Sequence, residues 1–472
     1  MAAFLKIVVL DDDPTGSQTL HGCPLLLRWD AASLRSGLAH PSPFLFLLAN
    51  TRALDPAAAR ARVEAILAAL LPALAAAAAA GHLEHWLIVS RGDSTLRGHC
   101  PLELETIAAA LPEPPDACLL VPAFLPGGRT TRQGVHLLDG VPVHTTPFGR
   151  DRLFGYGTSA LPAWLAEKSG GRIAAAGVQR IALAELDRAA AGGEGFERLC
   201  RRLAALERAV WVAVDAERPA QLAALGAAVR ELTAPSAAGR WGRPRRFLFQ
   251  SAASLLNGLA EIGDQPLDGA GLVGLRRRGG SGTPLPGLVL VGSHVPLADS
   301  QLARLLADPC CGAVELPVAT VARVLEGPAP AALLASLERD WAGRLAAELA
   351  EGRTPVLHTS RGEWRCRHAA ERRRLGLALA ALMARLAAAL APRLGYLISK
   401  GGITTQTLLA DGLGLGQVEL QGQLLPGLSL VLTPAAAAVP RLPVLTFPGN
   451  LGADETLWQA WALMEGAAPA DR

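Results

Sequence analysis

Lysine is almost absent from this 472-residue sequence: only Lys6, Lys168 and Lys400 occur, and arginine carries nearly all of the positive charge. The 45 basic and 42 acidic residues nearly cancel, which leaves a formal net charge of +3. Nucleic-acid-binding surfaces and polybasic membrane anchors need a marked excess of basic residues. The sequence therefore predicts a protein that binds neither nucleic acid nor a membrane surface.

Paired cysteines and a secretion signal are also missing. The seven cysteines are odd in number and form no C-x-x-C pair, which argues against a disulfide framework and a zinc site. The N-terminal sequence MAAFLKIVVLDDD lacks the anatomy of a signal peptide. Two uncharged runs, residues 65–81 and 420–440, contain prolines or glutamines, so we interpret them as buried elements and not as membrane spans of roughly 20 residues. These features predict a cytoplasmic protein.

Short apolar runs that end in polar or glycine-containing loops recur along the chain, with helical stretches such as residues 56–74 and 102–111 between them. This alternation predicts parallel, doubly wound sheets. Residues 268–287, rich in Gly, Arg and Pro, interrupt it before it restarts. We therefore predict an α/β fold of two doubly wound domains with mainly parallel sheets and a cleft between them. The predicted bounds are 1–240, a linker region at 241–286, and 287–472.

Polar and charged residues follow the predicted strands of the first half, at the strand ends where open parallel sheets bind ligands. Arginine can hold a carboxylate or phosphate by two parallel hydrogen bonds, Ser, Thr and Asp can bind hydroxyl groups, and an aspartate can accept a proton. The set predicts a site for a small polyhydroxy acid, although each residue alone is equally well explained as a helix cap or a solvated side chain. Its members are Asp11, Asp12, Asp13, Thr15, Gly16, Asn50, Thr51, Arg52, Arg91, Asp93, Ser94, Thr95, Arg97, Arg129, Thr130, Thr131 and Arg132.

Three glycine-containing loops, GSHVP, SKGGITT and FPGNLG, follow or close apolar runs in the second half. Glycine lets backbone N–H groups approach a phosphate closely, so the three loops together predict a phosphate site, whereas each alone fits ordinary turn chemistry. No G-x-x-x-x-G-K-[ST] sequence occurs, so the site is not of the Walker type. Lys400 stands beside Gly401 and Gly402, where its charge would meet a phosphate; the alternative is a plain surface lysine.

Six motifs together make the sequence resemble the four-carbon acid sugar kinase family over nearly its whole length, in the order in which that family has them. They are DDPTG at residues 12–16, RGDSTLRG at 91–98, VGSHVP at 291–296, SKGGITT at 399–405, GQLLPG at 422–427 and FPGNLG at 447–452. The resemblance implies an N-terminal sugar-acid-binding domain and a C-terminal nucleotide-binding domain. It also implies ATP-dependent phosphorylation of an acid such as threonate, erythronate or 3-oxo-tetronate.

The same resemblance implies which residues act. Those that would bind the sugar acid are Asp12, Arg52, Arg91, Asp93, Ser94 and Thr95, and those that would contact ATP are Ser293, Gly401, Gly402, Ile403, Thr404 and Gly449. Asp12 or Asp13 would deprotonate the attacking hydroxyl, and Mg²⁺ would bridge the phosphates. The sequence departs from relatives at Asp299, where a carboxylate would repel phosphate unless it faces a metal, and at QSAAS, residues 250–254. The oligomeric state is left open, with a homodimer as one alternative.

A phosphatase of the haloacid dehalogenase type is the main rival interpretation. Its opening motif, an apolar strand followed by D-x-D-x-T, is matched by Asp11, Asp13 and Thr15, and Asp264 and Asp268 resemble its late acidic motif. Such enzymes also need a lysine at a strand end between these motifs, and Lys168 lies in the polar sequence EKSGG instead. A catalytically silent sugar-acid sensor on the same scaffold is a third interpretation, supported best by the altered loop at Ala298 and Asp299.

Overall fold

A computed structural model of the protein describes residues 5–13, 19–260, 262–362, 364 and 366–466. Thr15 and Gly16, which belong to the predicted site, lie outside these residues. The chain forms two compact units, Met1–Asp264 and Gln265–Arg472, each of which has its own core. We describe each unit by itself.

The first unit is built on an eight-stranded, entirely parallel sheet with the strand order β2-β3-β1-β4-β11-β5-β10-β9. Its central strands are short apolar runs that are buried almost throughout, as expected for a parallel sheet covered on both faces. The strands are β1 Leu5–Asp11, β2 Cys23–Leu26, β3 Phe44–Leu48, β4 His85–Arg91, β5 Ala117–Val121, β9 Gln179–Ile181, β10 Val210–Val214 and β11 Phe247–Ser251. A separate antiparallel sheet contains β6 Arg129–Arg132, β7 Val135–Leu138 and β8 Val141–Pro142.

Nine helices of the first unit, among its described residues, connect these strands. They are α1 Ala31–Ala39, α2 Pro56–Ala79, α3 Leu102–Ala110, α4 Leu161–Lys168, α5 Leu183–Ala190, α6 Gly193–Ala204, α7 Pro219–Thr233, α8 Ala237–Trp241 and α9 Ala253–Leu259. The helix predicted over residues 56–74 continues to Ala79 through Pro72. Pro72 is exposed, and buried residues before and after it, such as Leu70 and Leu74, keep the helix packed against the core.

The segment 241–286, which the sequence analysis places in a linker, contains part of the first sheet. Strand β11 lies between β4 and β5. All five residues of its sequence, FLFQS, are buried there. Helix α9 follows it and packs against α7. The first unit therefore includes the first half of the segment interpreted as a linker.

The second unit has a seven-stranded sheet in the order β13-β14-β12-β15-β18-β17-β16. Five strands are parallel and β17 runs antiparallel to both of its neighbours. The strands are β12 Gly287–Val291, β13 Cys311–Leu316, β14 Thr354–Thr359, β15 Tyr396–Lys400, β16 Gln417–Leu425, β17 Leu428–Leu432 and β18 Pro443–Phe447. The helices are α10 Gly269–Val273, α11 Pro296–Leu306, α12 Val318–Glu326, α13 Pro330–Ala350, α14 Ala369–Leu390, α15 Gly402–Thr407 and α16 Thr456–Glu465. The predicted fold class, two doubly wound α/β domains with mainly parallel sheets, is confirmed.

Two helical segments are long and apolar enough to span a membrane by length and composition alone, Pro56–Ala79 and Glu371–Arg393. Core helices of globular proteins meet the same criteria. Residues of the first segment, including Val63, Ile66 and Leu70, lie in the core of the first unit. The two segments are therefore weak grounds for a membrane span.

Candidate functional site

Three neighbouring strands of the first sheet end at one edge, and backbone hydrogen bonds hold their loops together. Strand β1 lies between β3 and β4. The backbone N–H of Asp12 donates to the carbonyl of Arg91 at 3.1 Å, and that of Arg52 donates to the carbonyl of Asp12 at 3.3 Å. The side chains after β1, β3 and β4 are therefore placed side by side by the parallel topology itself.

Ion pairs link these side chains. Arg52 donates hydrogen bonds to both carboxylate oxygens of Asp12, with Nη2–Oδ1 at 2.5 Å and Nε–Oδ2 at 2.9 Å. Its Nη1 also lies 3.4 Å from Asp13 Oδ2 and 3.7 Å from Asp93 Oδ1. Arg91 Nη1 lies 3.5 Å from Asp11 Oδ1 and 3.8 Å from Asp12 Oδ1. The structure thus brings the predicted aspartates and arginines into one network, in which Arg52 and Arg91 are engaged with carboxylates of the protein itself.

Burial and charge act differently on the aspartates of this network. Burial raises the pKa of Asp11 to about 7, and the Arg91 guanidinium offsets this only in part. Burial also raises the pKa of Asp12, against the opposing effect of Arg52. For Asp93, burial acts in the same direction, but Arg97 and Arg52 outweigh it and hold the pKa well below the ordinary value. Asp93 therefore stays ionised at neutral pH, whereas Asp11 takes up a proton readily.

The loop after β4 is held from outside by two side chains that the sequence analysis did not identify. His136 Nε2 lies 2.8 Å from the carbonyl oxygen of Ser94, and the Tyr156 hydroxyl donates to the carbonyl of Thr95. Within the loop, the Thr95 hydroxyl and Arg97 Nε both donate to Asp93 Oδ2, the latter at 2.7 Å. The predicted substrate residues Asp93, Ser94 and Thr95 thus form a rigid loop. No local pattern in the sequence marks His136 or Tyr156 as its supports.

Glu103, at the start of α3, is a further buried acid next to this site. Its Oε2 accepts a hydrogen bond from the Ser90 hydroxyl at 3.0 Å, and the side chain is buried among β4 and the Thr51 loop. Burial raises the pKa of Glu103 to about 7, and the nearby charge of Asp12 acts in the same direction. No local sequence pattern marks Glu103 as a site residue, because a glutamate in the first turn of a helix is common on protein surfaces.

Glu103→Gln is expected to make the protein more stable at pH 8 while changing little at pH 5. The folded pKa lies above the unfolded one, so wild type must release a proton from a buried acid as the pH rises through this range. The resulting loss of folding stability, on the order of 3 kcal/mol, is absent below the pKa of Glu103 in the unfolded chain and complete above its pKa in the folded protein. Urea unfolding of both proteins at pH 5, 6, 7 and 8 measures the difference. The control is Glu105→Gln on the same helix, where Glu105 pairs with Arg172. A stability difference between Glu103→Gln and wild type that does not grow with pH would contradict the raised pKa of Glu103.

In the second unit, the three predicted glycine loops also meet at one edge. Strand β15 lies between β12 and β18. The backbone N–H of Gly292 donates to the backbone carbonyl of Lys400, and that of Gly401 donates to the backbone carbonyl of Phe447. Gly401 has φ +117°, a conformation that essentially only glycine adopts. A Cβ on Gly449 would lie 2.6 Å from Ser293 Oγ. The loops are thus close enough for one small group to touch all three.

The other predicted nucleotide residues start α15, directly after Gly401. Gly402 and Thr404 lie on this turn, with Thr404 buried and its hydroxyl beside Gly292, while Ile403 is exposed. The structure places all of these residues at the same edge of the sheet.

Lys400 is not a surface lysine. Its side chain points into the protein interior and not toward the space that the three loops border. The residue is fully buried, and its ammonium donates to the carbonyl of Pro448 at 3.0 Å while lying 3.9 Å from the centre of the Phe447 ring. Burial lowers the pKa of Lys400 to about 7. Its observed contacts tie the FPGN loop to β15, so its effect on a phosphate would be indirect.

Asp299, the departure noted in the sequence, is paired. Arg361, in the loop after β14, places Nη1 2.9 Å from Asp299 Oδ1 and donates from the same nitrogen to the carbonyl of Ser293 at 2.9 Å. Its Nη2 donates to the Thr359 hydroxyl at 2.9 Å. The charge of this carboxylate is therefore balanced by an arginine that the sequence analysis did not select.

Among the described residues, no group of three or more His, Cys, Asp or Glu side chains is arranged to hold a metal ion. Mg²⁺ that accompanies a nucleotide usually keeps several waters and binds one or two carboxylates together with the phosphates.

Comparisons with known proteins agree with this arrangement. Residues 7–259 match the sugar-binding N-terminal domain family, and residues 288–457 match the nucleotide-binding C-terminal domain family. A D-threonate kinase from Cupriavidus necator is 30% identical over 403 residues, which cover 83% of this chain and 86% of that protein.

Two solved structures share the fold. A Salmonella typhimurium LT2 protein, provisionally named a tRNA synthase, aligns with a TM-score of 0.63 at 19% identity, over 97% of this chain and 99% of its own. A Haemophilus influenzae protein aligns with a TM-score of 0.56 at 16% identity, with the same coverage. At these identities the two structures support the fold alone.

The two family matches define a class of two-domain proteins in which a sugar-binding domain precedes a nucleotide-binding domain. Within that class, the chain belongs to the four-carbon acid sugar kinase family, as its motifs indicate. The predicted enzyme class, a phosphotransferase with an alcohol group as acceptor, is confirmed by this membership.

Proposed function

We propose that this protein transfers the γ-phosphoryl group of ATP to a hydroxyl group of a four-carbon sugar acid such as threonate, erythronate or 3-oxo-tetronate. The observation that carries the proposal is the 30% identity to a D-threonate kinase over most of both chains. The aspartate–arginine network of the first unit and the glycine loops of the second supply the two chemical environments that such a transfer needs.

The first unit would bind the sugar acid at the edge formed by β1, β3 and β4. Asp12, Arg52, Arg91, Asp93, Ser94 and Thr95 would line or shape this site. Asp93 stays ionised beside Arg52 and Arg97, so it can accept hydrogen bonds from substrate hydroxyls. Because His136 and Tyr156 hold the Ser94 and Thr95 carbonyls, the loop presents a fixed geometry to the substrate.

Asp13 is the better of the two proposed bases. Both oxygens of Asp12 are bound to Arg52 and its side chain is only 4% exposed. Asp13 follows it directly, is 21% exposed and lies 3.4 Å from Arg52 Nη1. A base must reach the proton that it removes. Asp13 would accept the proton of the attacking hydroxyl, and Asp12 would fix the orientation of Arg52.

The second unit would bind ATP through Ser293, Gly401, Gly402, Ile403, Thr404 and Gly449. Backbone N–H groups of the glycine loops, other than those of Gly292 and Gly401, which donate to backbone carbonyls, would meet the phosphates. Lys400 would hold the loops in place through the Pro448 carbonyl. Mg²⁺ would enter with the nucleotide and neutralise part of the phosphate charge.

A cytoplasmic location fits the seven cysteines, none of which forms a disulfide.

The phosphatase alternative finds no support in the geometry of Asp11. This carboxylate, which would have to attack phosphorus, is 1% exposed, and its Oδ1 accepts the backbone N–H of Asp13 at 3.3 Å. Lys168 is not at a strand end: it closes α4, and its ammonium lies 3.5 Å from the carbonyl of Phe154. The pairing of Asp299 with Arg361 likewise removes the main support for a silent sensor.

A substrate panel tests the proposal. Purified full-length protein is incubated with ATP, Mg²⁺ and each of D-threonate, L-threonate, D-erythronate and 3-oxo-tetronate, and ADP release is followed by a coupled assay. We expect one or two of these acids to stimulate ADP release strongly over the rate without acid. Equal ADP release with and without every acid would contradict the proposed function.

A further inference from the structure

Four arginines lie at the edge of the first sheet where the sugar acid is expected, and three of them are occupied. Arg52 pairs with Asp12, Asp13 and Asp93, and Arg91 pairs with Asp11 and Asp12. Arg97 pairs with Asp93 and Asp151. These three guanidinium groups therefore face five carboxylates. Even when Asp11 carries a proton, the carboxylates outnumber the guanidinium groups, so an anionic substrate that entered this network would meet a surplus of negative charge unless a further cation received it.

Arg129, the first residue of β6, is the fourth arginine and has a different environment. Among the described residues, it has no carboxylate at ion-pairing distance. Its Nη1 donates to the carbonyl of Gly127, and its Nε is buried without a hydrogen-bond partner within the described parts of the chain. Burial lowers the pKa of Arg129, which the more distant charges of Asp93 and Asp139 offset only in part. The guanidinium carbon also lies 5.8 Å from the centre of the Phe124 ring. A partly buried cation without a carboxylate partner is costly, and an anion bound beside it recovers part of that cost.

The hairpin that carries Arg129 is fixed to the proposed substrate loop. Strand β6 pairs with β7, and its Thr131 hydroxyl contacts the buried His136 ring at 2.9 Å. The opposite ring nitrogen of His136 lies 2.8 Å from the Ser94 carbonyl oxygen. The chain enters the hairpin from β5, whose end lies at the same sheet edge, and Asp93 and Arg97 are near enough to affect the Arg129 pKa. Arg129 is thus held at the rim of the aspartate–arginine network.

We propose that Arg129 binds the carboxylate of the sugar acid and thereby makes the site selective for acids over neutral polyols. The inference rests on the proposed function and adds to it the orientation of the substrate. The acid end faces Arg129 on the hairpin, and the hydroxyl groups face the aspartates after β1 and β4. Arg52 and Arg91 then serve mainly to position those aspartates.

The test uses the full-length variants Arg129→Gln and Arg129→Lys, with D-threonate as substrate and D-threitol, its uncharged analogue, as a competitive inhibitor. Loss of a charged hydrogen-bond pair corresponds to a rise in KM for D-threonate of at least about tenfold in Arg129→Gln. The KM for ATP and the inhibition constant of D-threitol should stay within about twofold of wild type, because neither ligand carries the carboxylate. Arg129→Lys should give a smaller rise, since it keeps the charge and loses the planar fork.

Arg198→Gln is the control, because Arg198 lies on α6 of the same unit, outside the predicted site, is 60% exposed and pairs with Glu194. It should behave as wild type. An unchanged KM for D-threonate in Arg129→Gln, or an equal loss of affinity for D-threonate and D-threitol, would overturn the inference. If Arg129→Gln does not fold, a selective rise in the D-threonate KM of Arg129→Lys supports the inference and its absence overturns it. Failure of wild type to use any acid overturns the proposed function itself, whereas acid-dependent turnover with an unaffected Arg129→Gln overturns this inference alone.

Discussion

Asp13→Asn is expected to lower kcat by about two to four orders of magnitude, the range that loss of a general base produces. Asp13 directly follows β1, is partly exposed and lies within reach of Arg52. Asp12→Asn is expected chiefly to raise the KM for the sugar acid, because Asp12 is buried and orients Arg52 by a two-pronged pair. The two changes remove one charge each from adjacent residues and should therefore have different kinetic signatures.

Steady-state kinetics over pH 5 to 9 separate the two roles. We expect kcat of the wild type to rise with pH on the acid side, and the base variant should lose this rise. Asp264→Asn, at an exposed aspartate of the same unit, is the control, and far-UV circular dichroism checks the fold. A larger fall in kcat for Asp12→Asn would make Asp12 the base. Wild-type turnover in both variants would remove this loop from the chemistry.

Gly401→Ala is expected to weaken ATP binding by roughly ten- to a hundredfold, because about 1–3 kcal/mol of backbone strain would be placed in the loop. Gly401 has φ +117°, and a Cβ there would lie 3.4 Å from the backbone nitrogen of Ser293. The added methyl group would therefore both strain the backbone and narrow the space between two of the glycine loops. Isothermal titration calorimetry with a non-hydrolysable ATP analogue and Mg²⁺ measures the loss of affinity.

Gly414→Ala provides a control that also places a side chain at a residue with positive φ. Gly414 also has positive φ, at +65°, but nothing lies within 4 Å of its added Cβ and it is outside the three loops. It should lower stability while leaving ATP affinity within about twofold. Sugar-acid affinity should be unchanged in both variants. Equal ATP affinity of Gly401→Ala and wild type would move the nucleotide site away from these loops.

The sequence could predict the fold and the convergence of residues after the first strands because both follow from one pattern. Apolar runs separated by helices lead to parallel sheets, and parallel strands bring their following loops to one edge. Asp12, Arg52 and Arg91 meet for that reason, although Arg52 follows Asp12 by 40 positions and Arg91 follows Arg52 by 39.

Contacts that depend on side-chain direction could not be predicted in this way. Lys400 stands beside two glycines in the sequence, yet its chain turns inward to the Pro448 carbonyl. The Asp299 carboxylate looked repulsive toward phosphate because its partner, Arg361, is 62 residues away. His136 likewise reaches Ser94 across 42 residues. In each case the two residues are far apart in the sequence and meet only through the fold, so no local spacing encodes their approach.

Phosphorus-31 NMR of the complete reaction tests the central claim most directly. Purified protein is mixed with ATP, Mg²⁺ and the acid that stimulates ADP release, and the spectrum is followed until ATP is consumed. We expect a new phosphomonoester resonance that grows in step with ADP, little inorganic phosphate, and no hydrolysis of p-nitrophenyl phosphate. Accumulation of inorganic phosphate without a phosphomonoester, or Mg²⁺-dependent hydrolysis of p-nitrophenyl phosphate that Asp11→Asn abolishes, would contradict the kinase assignment.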